Sequence, residues 1–249
     1  MKLEHPALYH IPGLRQLWQE AFGDSDAFLD SFFDSAYHPT RCLCVTEGAS
    51  VLAAAYWFSC GYDDHKAAYV YAVATARAHR GKGLCRRLME QIHSILRQEG
   101  CGSAILVPGD ASLARMYGAM GYQFFGGMET VDSVPDKTPV SVTEIGSEEF
   151  IRLRRQYLCP GGIVQEGENL AFLKRHFRFY RGDDFVLTAA VSDGKLYAPE
   201  LLGDGAPASI LTALGARSGT FRVPGSTPFA MYLQLAPGDP PRYFGFAFD

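Results

Sequence analysis

Apolar residues recur at helical spacing near the start of the chain: Leu14, Leu17, Trp18 and Ala21 as far as Gly23. A second such stripe follows, with Asp24 or Ser25 as the cap and Phe28, Leu29, Phe32, Phe33 and Tyr37 on one face, until Pro39 stops it. The period then shortens to that of strands. Residues 42–46 and 51–60 flank the turn Glu47-Gly48-Ala49-Ser50 and predict a hairpin, and 67–75 predicts a third antiparallel strand. From 83 to 100 the positions Leu84, Leu88, Ile92, Ile95 and Leu96 form one stripe of an amphipathic helix that Gly100 ends. Residues 103–107 read as a short buried strand, 112–120 as a short helix and 121–131 as a closing extended region.

Between 132 and 143 the pattern is lost in a polar stretch with Pro135 and Pro139, which places a linker at 133–143 between domains at 1–132 and 144–249. The second half starts with a helix at 147–157 and a glycine-rich turn at 159–162, followed by a helix from about 168 to 180. Strands at 185–191 and 195–202 flank the hairpin turn Ser192-Asp193-Gly194. Residues 208–214 read as a helix, and three strand-like runs finish the chain, the last with Phe244, Phe246 and Phe248 alternating onto one face. This half repeats the order of the first and reads as a degenerate second copy, one strand short.

Composition narrows the class. Of 249 residues, 47% are hydrophobic and 13% aromatic, too rich for a disordered chain. With 23 Lys and Arg against 27 Asp and Glu, the net charge is −4, which argues against a whole-protein grip on nucleic acid or an anionic membrane. No apolar run approaches the ~20 residues of a membrane span and no leader pattern follows Met1, so the expected location is cytoplasmic. The six cysteines form no CxxC pair, and neither a zinc site nor a disulfide framework is expected.

One window breaks the charge balance. Between Arg77 and Arg87 there are five lysines and arginines and no acid, at a point where strand passes through a glycine-containing loop into helix. The first turn of a helix leaves N–H groups without intrahelical partners, and the macrodipole adds positive charge, so an anion is expected there. A nucleotide P-loop fails because Lys82 is followed by Gly83 rather than Ser or Thr. A dinucleotide fingerprint fails because its third glycine falls on Arg86. The overall acidity and the lack of interleaved aromatics speak against a nucleic-acid role for this window.

The string Val73-Ala74-Thr75, four residues, Arg80-Gly81-Lys82-Gly83-Leu84-Cys85 resembles the coenzyme A signature of the GCN5-related N-acetyltransferase (GNAT) superfamily. Cys85 stands where the family has Gly or Ala, and Arg77 where this subgroup often has proline. The resemblance implies that backbone amides of Gly81 through Cys85 face the coenzyme pyrophosphate, with charge from Arg80, Lys82 and Arg86. It also implies that free backbone groups of Val73, Ala74 and Thr75 pair with the pantetheine arm, as in β-augmentation. A second stretch, Asp110 to Tyr122, resembles the family segment that begins with Asn and ends in Tyr, three residues, Gly and an aromatic; Asp110 replaces the Asn and Leu113 an Ala. By that resemblance Tyr117 protonates the departing thiolate, and the backbone around Val73–Thr75 donates to the developing oxyanion.

The implied fold is α/β (α+β): a mixed, mostly antiparallel sheet flanked by helices, with a smaller GNAT-like C-terminal domain. The implied activity is acetyl-CoA-dependent N-acetyl transfer, with acetyl-CoA as co-substrate, no metal, no nucleic-acid or membrane partner, and an amine acceptor of unassigned identity. The alternative is a non-catalytic acyl-CoA-binding regulatory or scaffold protein. Glu47, Asp63, Asp64 and His65 are candidates for a general base, as is Asp249, while His79 reads as a solvent-exposed loop residue. Asp24 and Asp26 fall where the family builds its acceptor pocket, but also read as helix caps. Between Lys195 and Arg217 there is no Lys or Arg while Glu200 and Asp204 are present, so the second copy is expected to repel a coenzyme. Its role is expected to be shaping the acceptor pocket or forming a contact in a homo-oligomer.

Overall fold

The protein is described from a computed structural model covering residues 1–248. The chain divides into two compact units: one of residues 1–106, 110–123 and 232–238, the other of 107–109, 124–231 and the residues from 239 onward. Among the described residues, no helix is long and apolar enough to cross a membrane.

In the first unit, strand β1 (Lys2–Glu4) precedes two helices, α1 (Ile11–Phe22) and α2 (Asp26–Ser35). Gly23, left-handed at φ 76°, ends α1 by donating to the Gln19 carbonyl, a conformation that favours glycine. The Ser25 hydroxyl caps α2 by accepting from the Phe28 amide at 3.2 Å. Three antiparallel strands follow: β2 (Cys42–Glu47), β3 (Ser50–Tyr62) and β4 (His65–Thr75). Helix α3 (Leu84–Gln98) then crosses to β5 (Ser103–Leu106), which lies parallel to β4. Residues 51–58 of β3 are buried throughout, as a strand covered on both faces requires, and both α1 and α3 pack on β3. The α1 side is aromatic: Trp18 lies 4.7 Å from Phe32, 5.2 Å from Tyr56 and 5.5 Å from Tyr71, centroid to centroid. On α3 the fully enclosed Leu88, Met89, Ile92 and Leu96 each contribute about 1.5–3 kcal/mol by burial. Helix α4 (Ala111–Gly118) follows β5.

The second unit contains β6 (Gln123–Ser133) from Phe124, β7 (Thr143–Ile145), α5 (Ser147–Tyr157), α6 (Glu168–His176), β8 (Arg178–Arg181), β9 (Phe185–Ser192), β10 (Lys195–Gly203), α7 (Pro207–Leu214) and most of β11 (Ser218–Gln234). Strands β7, β8, β9 and β10 pair antiparallel in turn, and β10 pairs parallel with β11. This repeats the first unit's order and pairing from β1 to β5 element for element. Among the described residues nothing after β11 repeats α4 and β6, so the second copy has five strands, β7–β11, against the six of β1–β6, one strand short as expected. The end of β11, from Tyr232, belongs to the first unit and lies beside β5, where the Leu235 amide donates to the Gly102 carbonyl at 2.8 Å.

Two expectations from periodicity are corrected. The helix expected to reach residue 180 stops at His176, and residues 178–181 form β8, because Phe179 turns inward to stack on Phe150 at 4.2 Å. The phenylalanines at the end of the chain do not sit on a strand. Tyr243 bridges Gly162, and the Gln165 side chain grips the Phe246 backbone from both sides: Nε2 donates to its carbonyl and Oε1 accepts from its amide. Beneath that segment lies a buried ion pair. Arg154 Nε and Nη2 reach the two Glu200 oxygens at 2.7 and 3.0 Å, and the Tyr243 hydroxyl donates to Glu200 at 3.0 Å. The Phe246 ring covers the guanidinium at 4.3 Å.

Candidate active site

Strands β4 and β5 pair only from Ala67↔Ser103 to Tyr69↔Ile105, so β4 runs on from Val70 to Thr75 without β5 beside it. On its other side β4 stays joined to β3, but through a bulge between Ala54 and Tyr56 where Ala72 adopts a left-handed φ of 48°. Ala74 faces Ala54, and the Ala76 amide donates to the Leu52 carbonyl. By the alternation of an antiparallel ladder, the Val73 and Thr75 amide groups therefore point away from β3, into the gap.

The gap leads into the loop. The Arg77 amide donates to Glu20 Oε1 at 2.6 Å, which ties the loop to the end of α1, and Arg80 Nε donates to the Thr75 carbonyl at 3.1 Å. Gly81 and Gly83 are left-handed at φ 73° and 76°; a Cβ on either would meet open space, so it is backbone conformation, not crowding, that calls for glycine. Gly83 is the N-cap of α3, no side chain caps that end, and no acid lies in its first turn. Arg80, Lys82 and Arg86 are exposed around it, while Leu84 is buried and anchors the turn. Uncompensated amides, dipole and guanidinium charge thus converge on one exposed spot, the chemistry that holds a phosphate.

Tyr117 enters from α4, which Asp110 caps by accepting from the Ser112 and Leu113 amides at 2.7 and 2.8 Å. That explains why Asp serves where Asn was expected: the cap needs only a short side-chain acceptor. Burial, with the Cys85 thiol close by, pushes the Tyr117 phenol well above its usual range, so it keeps its proton. Burial also raises the Cys85 thiol, against the opposing pull of Arg86. Residues 73–75 and 80–86 thus follow one another at the end of β4, and Tyr117 lies close to Cys85 in the first turn of α3.

Other candidates are placed differently. Asp63 and Asp64 form the β3–β4 turn and His65 opens β4, at the opposite end of that strand from Val73 and about 26 Å away along it, so they serve no base at this site. Glu47 lies at the same sheet end as Thr75 but two strands over. Asp24 accepts from Trp18 Nε1 at 2.8 Å and Asp26 from Gln19 Nε2 at 2.7 Å, so both carboxylates are already engaged by α1. His79 is half-buried rather than exposed, with its Nδ1 shielded from solvent. Asp249 lies outside the described residues. Sequence reasoning missed Glu20, for which no local pattern exists, and His93, whose Nε2 lies 2.8 Å from the Tyr122 hydroxyl behind Tyr117.

Residues 8–125 match the family described as acetyltransferase (GNAT) domain. No curated protein sequence matches the chain. Solved structures similar in fold include a GCN5-related N-acetyltransferase from Kribbella flavida, with a TM-score of 0.70 and 19% identity over 93% of this chain and 70% of that one. Another from Anabaena variabilis ATCC 29413 has a TM-score of 0.73 and 14% identity over 94% and 73%. A tandem GNAT protein from the clavulanic acid biosynthesis pathway has a TM-score of 0.58 and 11% identity over 96% and 100%. At these identities the likeness is one of fold. With the splayed strand, the glycine loop and the family match falling on the same stretch, the chain carries, over residues 8–125, a domain of the GNAT acetyltransferase family.

Proposed function

We propose that the protein is an acetyl-CoA-dependent N-acetyltransferase that uses one coenzyme site, in the first unit, and passes the acetyl group to an amine. The observation that carries this reading is the open edge of β4 at Val73 and Thr75 running directly into the uncapped, basic start of α3. The cradle fits the group: amides of Gly81 to Cys85 for the pyrophosphate, Arg80, Lys82 and Arg86 for its charge, and the β4 edge for an extended amide-bearing arm. Acetyl-CoA, as co-substrate, would supply the acyl group and a thiol leaving group. Val73 and Thr75 amides are the donors available to the acyl oxygen, and Tyr117 holds a proton at its hydroxyl for the departing sulfur. The second unit offers no such cradle. Asp136, from the segment after β6, accepts from Ser209 Oγ in the first turn of α7 at 2.8 Å, placing a carboxylate where phosphate would need positive charge.

The test is calorimetric titration with acetyl-CoA together with thiol release across a panel of amines. Full-length protein is expected to bind one acetyl-CoA per chain and release thiol with at least one amine. Arg80→Ala and Gly83→Asp are expected to lose binding, the latter because a carboxylate at the helix start opposes phosphate. Tyr117→Phe is expected to lower turnover about 10²-fold with little change in binding, since a thiolate already leaves readily. Binding without thiol release for any amine would turn the reading to a regulatory acyl-CoA-binding protein.

A further inference from the structure

Helix α4 ends in a way that fixes what lies behind Tyr117. The Tyr122 amide donates to the Tyr117 carbonyl at 3.1 Å and the Gly121 amide to the Gly118 carbonyl at 3.0 Å, the paired bonds of a Schellman end, with Gly121 left-handed at φ 94°. This closure folds Tyr122 back onto the residue five positions earlier. Its ring meets that of Tyr117 edge-on, 5.7 Å between centroids and 62° between planes. Tyr122 is itself buried, and its hydroxyl finds a partner in His93 Nε2, 2.8 Å away on the inner face of α3. His93 is also buried, and its ring lies 5.5 Å from that of Tyr122. Burial, with Arg97 nearby, holds the imidazole uncharged, and a neutral ring pairs with the Tyr122 hydroxyl through Nε2 in either tautomer. The contact of His93 is with Tyr122, and its link to Tyr117 runs through that ring.

We infer that His93 is a positioning residue for acyl transfer: by fixing the Tyr122 hydroxyl it locks the ring against which the Tyr117 phenol is held at the acyl site. The inference rests on the transferase reading above. A proton donor contributes only when its hydrogen is aimed at the leaving atom, so a ring free to rock loses rate while coenzyme affinity is kept. The helix that starts the phosphate cradle thus also sets the acid, from its third turn.

His93→Phe, His93→Gln and Tyr122→Phe are compared with the parent by acetyl-CoA affinity, steady-state thiol release, melting temperature and the NMR ring-flip rate of Tyr117. His93→Phe and Tyr122→Phe are expected to lower kcat about tenfold, the scale of one lost buried hydrogen bond, with KM for acetyl-CoA changed by less than about twofold. His93→Gln, whose amide can still meet the Tyr122 hydroxyl, is expected to recover most of that loss. Ring flips of Tyr117 are expected to speed up in His93→Phe. In a Tyr117→Phe background, His93→Phe is expected to add nothing, because the two act through one group. A merely structural His93 would lower the melting temperature and add its full effect in that background. A folded His93→Phe with parental kcat and unchanged Tyr117 flips overturns the inference while leaving the transferase reading intact. Parental turnover in Tyr117→Phe instead removes Tyr117 from the mechanism, and parental protein that releases no thiol removes the transferase reading; in that case unchanged ring flips in His93→Phe still overturn the inference.

Discussion

His93 carries a pH signature that needs no substrate to observe. Its folded pKa is pulled from 6.5 down to about 4, so between those values the unfolded chain binds a proton that the folded one refuses. Stability from this residue is complete above pH 6.5 and is lost as pH falls towards 4, on the order of 2 kcal/mol by pH 5. Urea denaturation at pH 7.5 and pH 5 should show that loss in the parent and a flatter response in His93→Gln. At this scale the basic, glycine-containing start of α3 was legible from sequence. Arg80, Gly81, Lys82 and Gly83 act through charge and backbone freedom that neighbours in sequence supply to one another. Ala72 was not legible, because nothing in alanine announces a left-handed bulge; the register between β3 and β4 imposes it. Glu20 and His93 were hidden for a related reason, since each finds its partner 57 and 29 residues away.

Among elements, α4 and its closing turn show how a spacing becomes a geometry. The interval from Tyr117 to Gly121 and Tyr122 is that of a Schellman end, so the glycine is a conformational requirement. Gly121→Ala places a side chain at φ 94° with its Cβ 3.2 Å from Leu233 Cδ1, and should destabilise the protein by about 1–3 kcal/mol, read as a lower urea midpoint. In the second unit, α5 and β10 are joined by the Arg154–Glu200 pair, both side chains almost fully enclosed. Arg154→Leu leaves Glu200 buried with Tyr243 as its one remaining hydrogen-bond partner among the described residues and should cost about 3–5 kcal/mol, whereas replacing both charges together should cost less. Helix α3, with its sustained stripe and glycine boundaries, was read within two residues of its observed ends. The strand β8 was missed because its four residues continue an apolar spacing that α6 had begun, and only pairing with β7 and β9 separates them.

For the whole molecule, the partition of the chain matters more than its length. The first unit takes in residues 232–238, which lie beside β5, while β6 from Phe124 belongs to the second. The chain cut after residue 132 therefore loses a strand segment of the first unit and leaves the β5 edge unpaired. It should bind acetyl-CoA at least about tenfold more weakly than the full chain, with loss of cooperative melting by circular dichroism. The sequence by itself determined the basic helix start, since two glycines and five cations inside eleven residues need no distant help to leave positive charge at that end. It also determined the hairpins at β2–β3 and β9–β10 and the helix α3, because hydrophobic period is a local property. Tertiary structure alone decided the splay of β4 from β5, the bond from His93 to the Tyr122 that Tyr117 rests on, the filling of the second unit with its own ion pair and tail, and the return of residues 232–238. Each depends on which backbone or side-chain partner is met across tens to more than a hundred residues, and local periodicity does not encode that choice.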